Sequence, residues 1–136
     1  MESKMIKDIK ALKEMVKELT VLYVEDEDEM RSGSELFLKK FFNFVETAKD
    51  GEEGLEKFQT NRHDIIFTDV MMPRMDGEEM IKKIKEIDNN IFCVTLTASE
   101  VRLEDIKEMC DLYYRKPISY DDMNTVLQEI VKKFNL

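Results

Sequence analysis

Asp64-Ile65-Ile66-Phe67-Thr68-Asp69-Val70-Met71-Met72-Pro73-Arg74-Met75-Asp76-Gly77 is an apolar run that stops on a carboxylate and then breaks into a loop. Ile65, Ile66 and Phe67 suit a buried strand, because β-branched and aromatic side chains pack well on a pleated surface. Pro73 has no N–H for a strand ladder and Asp76-Gly77 carries turn chemistry, so the chain must leave the sheet soon after Asp69. One acid therefore stands at the carboxyl end of a central strand, where open α/β sheets place their ligand crevices.

Working outward, the same alternation recurs. Thr20-Val21-Leu22-Tyr23-Val24 reads as the first strand and closes on Glu25-Asp26-Glu27-Asp28. A helix is predicted from roughly Asp28, a candidate N-cap, to Asn43, with Leu36, Phe37, Phe41 and Phe42 inward. Phe44–Ala48 is a short second strand, and Asp50-Gly51 turns into a helix holding Leu55 and Phe58. After the Asp69 strand, a helix from about Glu78 to Ile87 turns Met80, Ile81, Ile84 and Ile87 inward. Ile91–Leu96 is a fourth strand ending at Thr97. A helix near Ser99–Met109 precedes a fifth strand, Leu112–Arg115, which ends at Lys116-Pro117. The last helix starts near Ser119 or Tyr120 and carries Met123, Val126, Leu127, Ile130, Val131 and Phe134. Strands alternating with helices throughout call for a doubly wound parallel sheet between helix layers, joined by right-handed crossovers.

Ahead of this lies an extra N-terminal helix. Met5, Ile9, Leu12, Val16 and Leu19 form one stripe, with Lys and Glu of mixed sign on the other faces. A helix this short must bury its stripe, whether on its own domain, in a short coiled coil, or as the end of a helix from a domain outside this sequence. The expected division is an N-terminal amphipathic helix over 1–18 and one domain over 19–136.

The 136 residues suit a single domain with a real core. A net charge of −9 argues against direct binding to nucleic acid or anionic membrane. No apolar run approaches the ~20 residues that span a bilayer, and no secretory h-region is evident, so a cytoplasmic protein is expected. Cys93 and Cys110 read as reduced packing residues. His63, in the polar turn Asn61-Arg62-His63-Asp64, reads as a solvated loop residue, and the ten methionines mostly fall at core spacing.

Strand ends alone supply Glu25 and Asp26, Asp69, Thr97, and Lys116. Singly, each has an ordinary explanation: acids in solvated turns, a threonine capping the next helix, a lysine at a sheet edge. Together, at the ends of four strands sharing one rim, they form a chemical set. Crowded carboxylates resist ionising side by side. A hard divalent cation relieves that, and Mg²⁺ suits because it takes a few carboxylates and keeps waters and phosphate oxygens. A hydroxyl and an ammonium beside it match the needs of phosphoryl oxygens. The chemistry implied is phosphoryl transfer onto a carboxylate.

Val24-Glu25-Asp26, Asp50-Gly51, Asp69 with Met72-Pro73 and Met75-Asp76-Gly77, Leu96-Thr97-Ala98 and Lys116-Pro117 together resemble the receiver domain of two-component response regulators, from about Leu19 to Phe134. The resemblance implies a flavodoxin-like, CheY-like sheet in the order 2-1-3-4-5. It implies Asp69 as phosphoacceptor from the phosphohistidine of a histidine kinase or phosphotransfer protein. Glu25, Asp26 and Asp69, with the backbone carbonyl of Met71, would hold Mg²⁺. Lys116 and Thr97 would engage phosphoryl oxygens, Tyr113 would be the switch aromatic, and the Lys116-Pro117 bond would be cis, with Pro73 and Gly77 structural. Bistable contacts of this kind would switch the helix 4–strand 5–helix 5 face (the helix near 99–109, the fifth strand and the last helix) toward a downstream target or a fused output domain, and a homodimer is compatible.

The chain departs from that family at three places. Met109 and Cys110 stand where a Gly-Ala pair is usual, and the first acid is Glu25 rather than Asp. Met71 and Ser99 flank the route of a hydrolytic water; Met71 is apolar, so slow to moderate self-dephosphorylation is expected, in a phosphoacceptor rather than an enzyme. Two rivals stand beside this reading. One is a haloacid-dehalogenase-type small phosphatase, suggested by Asp26-Glu27-Asp28, although Met30 stands where that motif wants Thr or Val. The other is an interaction module that works without phosphorylation.

Overall fold

A computed structural model describes residues 8–72, 74–97 and 107–136. Its five strands are β1 (Thr20–Val24), β2 (Phe44–Ala48), β3 (Ile65–Asp69), β4 (Phe92–Thr97) and β5 (Leu112–Arg115). They form one parallel sheet in the order β2-β1-β3-β4-β5, as the sequence led us to expect. Val24 pairs with both Ala48 and Thr68, Asp69 with Leu96, and Thr97 with Arg115, so the carboxyl ends share one rim.

The period of two along each strand sorts side chains onto two faces. Val21, Tyr23, Ile65, Phe67, Phe92 and Val94 join a core with helices α1 (Ile9–Val16), α2 (Asp28–Leu38) and the last helix, α5 (Tyr120–Lys133). Leu22, Val24, Ile66 and Cys93 join a second core with α3 (Gly51–Asn61) and α4 (Gly77–Ile87). Among the described helices four are started by side chains, α1 by Asp8, whose Oδ1 accepts from Lys10 N at 2.9 Å. Asp50 accepts from Glu53 N at 2.8 Å, Asp76 from Glu79 N at 3.0 Å, and Ser119 from Asp122 N at 3.0 Å, the last with a reciprocal bond from Ser119 N. Among the described residues no helix is long and apolar enough to cross a membrane.

The N-terminal stripe, open between three readings, docks on its own domain. Leu12 and Val16 are fully buried in the first core, and α1 packs against α5. Met5 lies outside the described residues, as do Pro73, Ala98, Ser99 and most of the helix expected near 99–109.

Three expectations need correction. The helix after β1 ends at Leu38, not Asn43, and Glu27 rather than Asp28 holds its N-cap position. Phe41 and Phe42 are buried, but by a turn in which both amides donate to the Leu38 carbonyl, at 2.9 and 3.0 Å. Leu36, expected inward, is 69% exposed. His63 is not solvated either; it is buried. Arg62, in the left-handed conformation at φ 50°, closes α3 and turns the chain. His63 then lies beside the Phe58 ring, with Nε2 2.8 Å from Glu46 Oε1 on β2. Burial alone would raise the Glu46 carboxyl, but hydrogen bonds from Asn61 and His63 outweigh it and hold the group below its ordinary value.

Candidate functional site

The site is assembled from the ends of β1, β3, β4 and β5. Period-two alternation carries Tyr23 and Glu25 to the same face of the chain. The Glu25 carboxylate is buried and receives three donors: Tyr23 OH at 3.4 Å, Glu27 N at 3.2 Å and Lys116 Nζ at 2.5 Å. Asp26, the next residue, is exposed at the mouth. Asp69 is 8% exposed; its Oδ1 accepts from Val70 N at 2.7 Å and its Oδ2 from Lys116 Nζ at 2.8 Å. One ammonium thus bridges two acids from different strands. The Lys116–Pro117 peptide bond is cis, and Lys116 N donates to Thr97 O at 2.8 Å, tying the end of β4 to the residue after β5. Thr97 is buried.

One oxygen from each of Glu25, Asp26 and Asp69 lies within 4.8 Å of the others. Partial desolvation raises the Asp26 carboxyl above its ordinary value, and the facing Glu25 and Asp69 push it the same way. Lys116 is pulled downward by burial, yet its hydrogen bonds to Asp69 and Glu25 prevail and its ammonium sits above the ordinary lysine value. Three acids, two of them bridged by one internal ammonium, are a donor set that a hard, oxygen-seeking divalent ion fits.

The loop beyond Asp69 is held by close backbone approach. Gly77 N donates to Val70 O at 2.8 Å, and a Cβ on Gly77 would lie 2.2 Å from Asp69 O. Gly51 N donates to Met75 O at 3.1 Å, and a Cβ there would lie 2.1 Å from that oxygen. Asp50-Gly51 and Asp76-Gly77 are therefore each a helix cap joined to a glycine that admits neighbouring backbone. Arg74 takes a left-handed φ of 64° and reaches Asp50 at 3.6 Å.

The rim opens into a cavity of about 890 Å³ whose walls include Met30, Gly33, Phe37, Met71, Thr97 and Ile118. Met71 is exposed there. Tyr113 stands on β5 opposite Thr95, also exposed, with Lys107 Nζ 5.5 Å from its ring centroid. Met109 and Cys110 pack against the second core, and Cys110 Sγ is 3.3 Å from Thr95 Oγ1.

Sequence reasoning missed three contributors. Tyr23 was read as a strand residue, though its spacing from Glu25 shows the shared face; burial pushes its phenol up to about 12, so it is a donor to Glu25. Arg31 Nη1 donates to Glu25 O at 2.9 Å while Nη2 pairs with Asp28 at 2.6 Å, which fixes the acidic loop. Met30 Sδ lies 3.3 Å from Lys116 Nζ.

Known proteins match this arrangement. The family profile described as response regulator receiver domain covers residues 21–128. Hybrid signal transduction histidine kinase D of Dictyostelium discoideum is 38% identical over 108 residues, which are 76% of this chain and 7% of that protein. The alkaline phosphatase synthesis transcriptional regulatory protein PhoP of Bacillus subtilis is 30% identical over 116 residues, 83% of this chain and 48% of that protein. Among solved structures, response regulator TrrA of Thermotoga maritima in complex with Mg²⁺-BeF superposes with a TM-score of 0.75 at 25% identity, covering 82% of this chain and 98% of that one. The chain spans half or less of the length of these two curated relatives. With its strand order, its rim of acids and a profile match over most of its length, the chain belongs to the response regulator receiver domain family.

Proposed function

We propose that Asp69 accepts a phosphoryl group from the phosphohistidine of a histidine kinase or phosphotransfer protein, in a cytoplasmic two-component relay. The observation that carries this reading is the Asp69 carboxylate itself, seated at a strand end within 4.8 Å of two other acids and bonded to an ammonium. In the transfer, the donor's P–N bond breaks and a bond forms between phosphorus and an Asp69 carboxylate oxygen. Glu25, Asp26, Asp69 and the Met71 carbonyl would hold Mg²⁺, which supplies charge neutralisation for the phosphoryl oxygens. Lys116 exchanges its bond to Asp69 for one to the new phosphoryl group, and Thr97 donates to another oxygen. Those acceptors exist only in the modified state, so the two loop arrangements are biased through differential contact. Tyr113 then moves with Thr97, and the face built on β5 and α5 reports the change to a target or a fused output domain.

The chain is in this reading a phosphoacceptor unit over 19–136, carrying its N-terminal helix, and not a turnover enzyme. Arg31 holds Asp28 in the first turn of α2, away from the Asp26 carboxylate cluster, which disfavours an Asp-x-Asp phosphatase.

Incubating the chain with Mg²⁺ and a small phosphodonor, followed by intact-mass measurement, tests the proposal. One added phosphoryl group is expected, and none when the cation is chelated; uptake that ignores chelation would contradict the cation's role. Two variants sharpen the reading. Lys116→Ala is expected to keep some phosphoryl uptake but to weaken the conformational response seen in NMR spectra, because the phosphoryl group loses its cationic partner; a full response would remove Lys116 from the switch. Met71→Asn supplies a polar group on the hydrolytic route and is expected to shorten the phosphoryl lifetime about tenfold, the scale of one well-placed hydrogen bond. An unchanged decay would show that Met71 does not slow hydrolysis.

A further inference from the structure

We propose that Met30 is an oxidation site through which hydroperoxides lower the phosphorylation competence of the Asp69 centre; this rests on the reading of Asp69 and Lys116 given above. An ammonium carries three N–H donors. Those of Lys116 go to Glu25 Oε1 at 2.5 Å, Asp69 Oδ2 at 2.8 Å and Met30 Sδ at 3.3 Å. The third acceptor is a thioether, the weakest of the set. Met30 is 37% exposed and lines the cavity above the site, so a small peroxide reaches its side chain.

Oxidation changes that third contact. The sulfur lone pair attacks one peroxide oxygen, the O–O bond breaks, an S–O bond forms, and the other oxygen leaves as water or an alcohol after proton transfer. Sulfur is oxidised by two electrons and the peroxide is reduced. The product is a polar, chiral sulfoxide that methionine sulfoxide reductases return to the thioether. Its oxygen is a strong acceptor beside the Lys116 ammonium. It competes for the N–H groups that otherwise serve Asp69 and an incoming phosphoryl group, and it draws Lys116 toward α2. Met15, also exposed at 38% but on α1, has no such neighbour among the contacts of Lys116 and is an internal control.

The test treats the full chain with dilute hydrogen peroxide, maps added oxygen by peptide mass, and then measures the rate of phosphoryl uptake with Mg²⁺ and a small phosphodonor. Oxygen is expected on Met30, with uptake slowed about tenfold, the effect of one charge-assisted hydrogen bond. Sulfoxide reductase should restore the rate. Met30→Leu should keep its rate after peroxide, Met15→Leu should remain as sensitive as the wild type, and Met30→Gln, which offers an amide oxygen without oxidant, should be slow from the start. A Met30 that stays unoxidised while Met15 reacts would overturn the proposal, as would an oxidised Met30 with an unchanged rate or a Met30→Leu variant that slows equally. The untreated chain separates the two levels: if it takes up no phosphoryl group, the reading of Asp69 fails, whereas normal uptake with no peroxide response fails Met30 alone.

Discussion

Asp69→Asn is expected to take up no phosphoryl group under conditions in which the wild type is fully labelled. The amide nitrogen that replaces one carboxylate oxygen is neutral and a poor nucleophile, and no second acid shares the buried position at the end of β3. The fold should persist, because Asn is isosteric and its amide oxygen can still accept from Val70 N, now bonded to Asp69 Oδ1 at 2.7 Å. Lys116 would then keep Glu25 and the Met30 thioether, since an amide NH₂ offers it no acceptor. Removing one of three crowded charges also weakens the cation site, so Mg²⁺ affinity should fall at least about tenfold, within the range that loss of a supporting group commonly costs a metal site. Intact mass reads the label and a Mg²⁺ titration by NMR reads the second effect. Label retained on the variant would move the acceptor to Glu25 or Asp26. Asp26→Asn is the informative partner, because it should lose cation affinity while keeping the nucleophile.

How far the chain could be read without coordinates follows from what each residue's neighbours encode. Strand ends were legible because a β-branched or aromatic run that stops on Glu25, Asp69 or Lys116 marks both the edge of the core and the start of the chemistry. All five strands follow from that rhythm, whereas their order in the sheet was implied by the resemblance to receiver domains. Helix length after β1 was not legible, since Phe41 and Phe42 continue an apolar pattern that a turn buries as well as a helix does. His63 was misread for a related reason. The polarity of Asn61, Arg62 and Asp64 says where the backbone runs, but its burial depends on the left-handed turn at Arg62 and on Glu46, which lies on β2 and far away in sequence. The stripe on α1 announced that something must cover it, without naming α5 as the cover. Met30 escaped notice because its contact with Lys116 joins distant elements and leaves no periodic trace. Tyr23, two residues before Glu25, and Arg31, three after Asp28, stood instead at spacings that were read only as strand and helix.

Gly77→Ala is expected to destabilise the protein by about 3 kcal/mol and to impair the acceptor, although it places a better helix former at the start of α4. Two terms favour alanine there: higher helix propensity, worth roughly 1 kcal/mol, and a less flexible unfolded chain, worth about 0.4–1 kcal/mol. Against them stands space. The new Cβ would lie 2.2 Å from Asp69 O and 3.0 Å from Val70 Cα, which are backbone atoms without a rotamer to relieve the contact. Gly77 N also donates to Val70 O at 2.8 Å, so α4 and the loop after β3 cannot separate without breaking that bond. Relief therefore has to move the loop whose Val70 amide orients the Asp69 carboxylate. Stability and phosphoryl uptake should fall together, with a drop in melting temperature of roughly 10 °C for a domain of this size. Gly33→Ala supplies the contrast. Gly33 lies within α2, and a Cβ there meets nothing within 4 Å. The same substitution should raise the melting temperature slightly, by the propensity difference of about 0.5–1 kcal/mol. Thermal melts of the two variants side by side thus read opposite signs from identical chemistry. A Gly77→Ala chain that melts at or above the wild type would mean that the approach of α4 to the Asp69 carbonyl is looser than 2.2 Å implies, and that the acceptor's position is set by Lys116 and the strand alone.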